Sequence, residues 1–133
     1  MIVQGFEIVE WIASETGFNI HSNMIGLGYI KDKKIIAGVA YERYTGKSIM
    51  VHQRVTENAP RGFWFASVDY MFNKLGCNHC IGFVDSTNQK AIKINLKMGF
   101  EIQSTLKDAG SDGSDLLIMI MTKENCRLLK WGK

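Results

Sequence analysis

Apolar and polar positions follow two different periods along this chain, and the changes of period mark its elements. From Phe6 to Glu15 the apolar residues fall at 6, 8, 9, 12 and 13, the stripe of a helix, and Gly17 follows as a stop. The pattern then becomes strand-like. Met24–Ile30 is apolar with glycines spaced through it, Lys31–Lys34 is a charged turn, and Ile35–Tyr44 is β-branched and aromatic. Thr45–Gly46–Lys47 is a second turn, and Ser48–Val55 is a third strand. Both connections are too short for crossovers, which makes the three strands an antiparallel meander.

Helical spacing returns after Asn58-Ala59-Pro60, with a stripe at Phe63, Phe65, Ala66, Val68, Tyr70, Phe72 and Leu75. Proline suits the first turn of that helix, where its missing N–H costs nothing, and Gly76 suits the exit. Cys80–Val84 is a short strand. Asn88–Met98 is a helix with Ala91, Ile92 and Asn95 on adjoining faces, ended by Gly99. Phe100–Leu106 and Leu116–Thr122 are strands on either side of Asp108–Asp115, a glycine- and aspartate-rich loop read as a solvated hairpin tip. The order is α-βββ-α-β-α-β-β, an α/β chain (α+β mixed sheet) with at least one parallel pair around the crossover helix. The run Leu116–Met121 reads as a central, buried strand.

Composition narrows the class. The 133 residues show no repeat and no linker, which predicts a single domain over 1–133. Leu116–Met121 is the longest apolar run, far short of the ~18 residues a membrane helix needs. The opening MIVQGFEIVEW lacks the basic segment and cleavage site of a secretory signal, and the expected location is cytoplasmic. Sixteen Lys and Arg against thirteen Asp and Glu give a net charge of +3, scattered along the chain, so no nucleic-acid partner is expected. Three cysteines, Cys77, Cys80 and Cys126, are an odd number that suits a reducing compartment. Cys77-Asn78-His79-Cys80 has no second CxxC; only the distant Cys126, His21 and His52 are left to complete four zinc ligands, so no metal is expected. Loop 108–115 lacks the ligand spacing of a calcium loop.

The most informative stretch is Asn88-Gln89-Lys90-Ala91-Ile92-Lys93-Ile94-Asn95-Leu96-Lys97-Met98-Gly99-Phe100. It resembles the N-x-x-A-x-x-x-Y/N-x-K-x-G-F signature of the GNAT superfamily of N-acetyltransferases. Gly38-Val39-Ala40-Tyr41, Ile49–His52, Arg61-Gly62-Phe63, Tyr70–Cys77 and Met121–Leu129 follow in the same order as in a branch of short GNAT-like proteins encoded by tailed bacteriophages. That resemblance covers residues 1–129 and would put a phage-encoded chain in the host cytoplasm.

The resemblance implies a GNAT-like fold in which strands Ser48–Val55 and Cys80–Val84 are a splayed parallel pair, with acetyl-CoA as co-substrate. It implies that Asn88 hydrogen-bonds the pantetheine arm, that Ala91 keeps the helix face small, and that backbone N–H groups among Val51, Gln53, Arg54 and Val55 hold the thioester. GNAT proteins usually carry Q/R-x-x-G-x-G/A where backbone N–H groups meet the pyrophosphate at a helix's positive end, and a Cβ there would keep the phosphate away. Here the stretch is Arg61-Gly62-Phe63-Trp64-Phe65-Ala66, so Arg61, Gly62 and Phe63 form the expected phosphate turn while Trp64 takes the glycine's place. His52 is the candidate base, since an imidazole near neutrality can take a proton from an amine. Asn95 stands where many GNAT enzymes place a tyrosine that protonates the leaving thiolate; an amide can only donate a hydrogen bond there. Glu42 is a second base candidate, with a surface charge as its ordinary reading.

The expected activity is transfer of acetyl from acetyl-CoA to a primary amine by direct attack on the thioester. The acceptor is a protein or peptide amine or a small molecule; no acidic cluster in the sequence singles out a polyamine, which favours the protein. The family's specificity surface corresponds to Phe6–Asn23, and the assembly is left open between a monomer and a homodimer. The rival reading is a catalytically degenerate GNAT-fold module for protein–protein contact and host modulation. Trp64 and Asn95 favour it, with Trp64 or Trp131 as contact aromatics.

Overall fold

A helix approaches a sheet closely only where the strands beneath it carry little side chain, and the glycine-spaced segment provides such a surface. In the computed structural model, which describes residues 1–130, helix α1 (Phe6–Thr16) lies over strands β2 (Ile25–Lys31) and β3 (Lys34–Glu42). A Cβ on Gly26 would stand 2.7 Å from the Gly5 carbonyl oxygen, one on Gly28 2.4 Å from Ile8 Cδ1, and one on Gly38 2.9 Å from Ile8 Cγ2. The seat buries Ile8, Val9 and Ile12 against Met24 and Ala40. Trp131 lies outside the described residues.

Among the described residues seven strands form one sheet in the order β1-β2-β3-β4-β5-β7-β6. Strand β1 (Ile2–Gln4), too short to show in the hydrophobic pattern, pairs antiparallel with β2 at one edge. The meander β2-β3-β4 is as the pattern predicts, with β4 at Ser48–Val55. Strand β5 (His79–Asp85) lies parallel to β4, and its other edge pairs antiparallel with β7 (Leu116–Thr122). Strand β7 is therefore interior, and β6 (Glu101–Leu106) is the exposed edge beyond it. The strand predicted from Phe100 begins one residue later, because the Phe100 N–H is spent on the Asn95 carbonyl (3.0 Å) in closing the helix before it.

The second face carries α2 (Arg61–Asp69), α3 (Gln89–Met98) and the short α4 (Arg127–Lys130) around Tyr41, Phe63, Phe72, Met119 and Met121. The helix expected to run unbroken to Leu75 changes pitch. After Asp69 it becomes a π turn, Tyr70–Lys74, in which the Leu75 N–H reaches back to the Tyr70 carbonyl at 3.0 Å. Pro60 is extended (ψ 153°) and caps α2 rather than opening its first turn. Cys77, Cys80 and Cys126 are buried free thiols, each pushed up in pKa by that burial. Among the described residues no group of three or more His, Cys, Asp or Glu side chains can hold a metal ion, and no helix is long and apolar enough to cross a membrane.

Candidate active site

Parallel strands that stay in register leave no room between them; these two do not stay. Strand β4 pairs with β5 only over Ser48–Met50 and His79–Ile81, then both continue separately to Val55 and Asp85. Beyond Met50, β4 is still laddered to β3 on its other side, which keeps it straight. Backbone groups of a strand point alternately to its two edges, so from Val51 onward β4 presents donors and acceptors to the gap. The gap is the floor of a cleft of about 750 Å³ that includes residues 51–55, Asn88, Ala91 and Asn95. That volume lies within the ordinary range for small-molecule sites.

Side chains of β4 alternate between the two faces of the sheet. His52 and Arg54 lie on the α1 side. The Arg54 guanidinium donates to the Trp11 carbonyl (2.9 Å) and stacks over the Trp11 ring at 4.3 Å, which ties its side chain to α1. Gln53 lies on the opposite side and donates from Nε2 to Asn95 Oδ1 at 2.9 Å, tying β4 to α3. Asn95 is buried, and its Nδ2 also points to Met119 Sδ at 3.7 Å. One amide hydrogen of Asn95 is thus engaged, and its carbonyl oxygen accepts one hydrogen bond, from Gln53.

His52 is held on two sides. Its ring stacks on Phe18 at 4.0 Å and 12° between planes, and its Nε2 is hydrogen-bonded to Glu42 Oε2. Glu42 is not the surface charge expected: its side chain is only 10% exposed, and its other oxygen accepts from His21 Nε2 at 3.0 Å. Burial works to raise the Glu42 pKa, but the bonds from His52 and His21 outweigh it and hold the carboxyl below the ordinary glutamate value. Phe18 and His21 come from the loop between α1 and β2, inside the segment Phe6–Asn23 expected to face the acceptor. Neither was singled out as a site residue from the sequence. The Glu42–His52 pairing was within reach, because a hairpin turn at 45–47 sets Glu42 opposite Met50 and so places His52 diagonally across on the same face.

Asn88 caps α3, its Oδ1 accepting from the Ala91 N–H at 3.2 Å, and this leaves its amide nitrogen for a ligand in the cleft. At the start of α2, a Cβ on Gly62 would meet nothing within 4 Å, so the backbone there is open to close approach. Phe63 is different from the role expected of it. Its side chain is in the core and its N–H is given to the Pro60 carbonyl (3.0 Å), leaving it no group for a phosphate. Arg61 stands exposed on the first turn. Trp64, edge-on to Phe63 at 4.9 Å, lines the cleft itself.

The loop after β6 is the exposed hairpin tip expected, with an anchor that the sequence did not show. Ser114 Oγ donates to Asp85 at 2.7 Å, Asp85 accepts from Thr87 Oγ1 at 2.6 Å, and residues 109–111 wall the cleft. The hydrogen bonds from Thr87, then Ser114, keep the Asp85 carboxyl below the ordinary aspartate value. Ser114 Oγ also sits 2.6 Å from Asp112 Oδ1, so folding gathers carboxylates that the sequence leaves scattered.

No protein-family model matches this sequence, and no curated protein matches it. Solved structures do match. A chimera of Vibrio cholerae spermidine N-acetyltransferase SpeG with hSSAT superposes with a TM-score of 0.66 at 18% identity, over 95% of this chain and 82% of that one. Campylobacter jejuni N-acetyltransferase PseH, in complex with acetyl coenzyme A, gives 0.60 at 17% identity, over 86% of this chain and 77% of that one. A GNAT-family acetyltransferase from Bacillus anthracis gives 0.62 at 12% identity, over 76% of this chain and 66% of that one. At such identities the shared property is the fold, and the GNAT-like fold with its splayed strand pair is the one this chain adopts.

Proposed function

We propose that this chain is an acetyl-CoA-dependent N-acetyltransferase acting on a primary amine, of the kind found in the short phage-encoded branch its motifs resemble. One observation carries the reading: the parallel ladder stops at Met50, and the cleft it opens is lined by both His52 and Asn88. The residues present fit the co-substrate. Backbone donors of 51–55 suit an extended amide-rich arm laid along β4, the Asn88 amide suits a carbonyl of that arm, and open space at Gly62 suits a pyrophosphate.

Bound acetyl-CoA supplies an activated thioester. The protein's part is to orient it, to stabilise charge on its carbonyl oxygen through N–H groups of β4, and to receive a proton. The amine nitrogen forms a bond to the acetyl carbon, the carbon–sulfur bond breaks, and the amine proton passes to His52, which returns it to solvent or to the departing thiolate. The Asn95 amide hydrogen left over from Met119 can steady that sulfur but cannot protonate it. The acceptor class is a protein, peptide or small-molecule primary amine, and the buried free thiols suit a reducing cytoplasm.

Thermal unfolding with and without acetyl-CoA, with ATP as the control for generic phosphate binding, tests the reading. Ligand at ~100 times its dissociation constant adds about 2.7 kcal/mol, a shift of several degrees. A shift with acetyl-CoA alone is expected, and turnover in an amine screen should fall on the order of 100-fold or more in His52→Ala. The second reading, a degenerate GNAT-fold interaction module, is favoured by Trp64 in the cleft, and it requires neither a shift nor turnover.

A further inference from the structure

His52 can act as a base only through a nitrogen that carries no proton, and the surroundings of the ring choose which nitrogen that is. Its Nε2 faces Glu42 Oε2. An ionised carboxylate only accepts hydrogen bonds, so the nitrogen facing it must carry the hydrogen. The other oxygen of Glu42 is satisfied by His21 Nε2 at 3.0 Å, and Arg43 Nε stands 3.9 Å from it. Three cationic or hydrogen-donating groups thus converge on one carboxylate whose side chain is 10% exposed, which keeps it an acceptor at neutral pH. The stack of Phe18 on the His52 ring, at 4.0 Å, blocks the ring from turning over.

We propose that Glu42 is a positioning residue for acetyl transfer: it fixes His52 as the Nε2–H imidazole and leaves Nδ1 to take the amine proton. This rests on the N-acetyltransferase reading and assigns His52 a definite working atom. In the step, the amine's N–H bond breaks as the N–C bond to the acetyl group forms, and the proton goes to Nδ1. The ring then carries both hydrogens, with its positive charge facing the Glu42 carboxylate through Nε2–H. His21, 45% exposed, holds the far oxygen and keeps the carboxylate turned toward His52.

Imidazole nitrogen NMR tests the assignment, first on the unaltered chain. His52 should show an Nε2–H ring with a downfield proton slow to exchange with solvent, and that signal should be lost in Glu42→Ala, which removes the acceptor. An Nδ1–H ring in the unaltered chain overturns the proposal. With acetyl-CoA and an accepted amine, Glu42→Gln should lower kcat on the order of 100-fold while KM for acetyl-CoA stays within about twofold. An unchanged kcat overturns it as well, even where His52→Ala abolishes turnover and the broader reading stands. Full turnover in His52→Ala sinks the base assignment itself, and absence of any acetyl-CoA binding sinks the enzyme reading; neither result resembles the other.

Discussion

At the scale of single residues, this protein concentrates its unusual chemistry in Glu42. A carboxylate that is nearly buried normally loses stability by being charged, yet here two imidazoles reverse the balance. The sign follows directly. A folded-state pKa below the unfolded one means that Glu42 stabilises the fold above the ordinary carboxylate range and loses that contribution as pH falls through its lowered value. In urea titrations the stability gap between the unaltered chain and Glu42→Gln should therefore be full near neutrality and close progressively below about pH 4. A gap that widens on acidification would mean the carboxylate is destabilising where it stands. The proposed roles of His52 and Asn88 came from the sequence because each falls inside a motif. Those of Phe18 and His21 did not, since they sit on a loop without periodicity and reach the site only when α1 folds back over the sheet.

At the scale of elements, the close-packed joints set the tolerances. Gly99 ends α3 at φ 119°, donating to both Asn95 and Leu96 carbonyls, and a Cβ there would fall 2.0 Å from the Asn125 backbone oxygen. Backbone strain and a backbone collision combine, so Gly99→Ala should cost at least ~3 kcal/mol in chemical denaturation. Under α1 the same substitution should be graded by what it strikes. At Gly28 it meets the flexible end of Ile8, and at Gly26 the Gly5 carbonyl, so about 1 kcal/mol is expected at the first and about 2–3 at the second. Equal costs would show that α1 shifts as a rigid body. Element types were readable because periods of two and 3.6 seldom mimic each other over long stretches. What escaped was short or irregular: β1, α4 and the π turn at Tyr70–Lys74, none of which carries a full repeat.

At the scale of the whole molecule, the cleft is a place where the two halves of the sheet meet, and Trp64 is its built-in reporter. Trp64 lines the cleft while Trp11 is covered by Arg54, so acetyl-CoA should change the emission of the first and spare the second. Titration of Trp11→Phe should keep most of the intensity change, and Trp64→Phe should lose it; the reverse would place the ligand elsewhere. The splayed pair was anticipated through a family resemblance and not from hydrophobic pattern, because pattern reports which face is buried and is silent on where two strands part. The walling of the cleft by loop 109–111 was invisible for a similar reason, since its anchor Asp85 lies on another strand.

The shortness of the β4–β5 ladder has a consequence for how the chain acquires its structure. The ladder between the two halves of the sheet covers Ser48–Met50 and His79–Ile81, extended by the Asn78 and His79 N–H groups donating to the Lys47 carbonyl. On one side, β2, β3 and β4 close through two successive hairpins, and β1 joins β2 around α1. On the other, β6 and β7 close through the hairpin loop 107–115, but β7 must also pair with β5 across the intervening α3, which joins residues as distant as His79 and Thr122. Local closures precede distant ones when chain entropy sets the pace, so the meander is the early unit and the β5-β7-β6 leaf the late one. The seam between them is then the last join formed and the first to breathe. A molecule lying along β4 and touching α3 would bridge both units, so it would slow amide exchange at residues 48–50 and 79–81, which it never contacts.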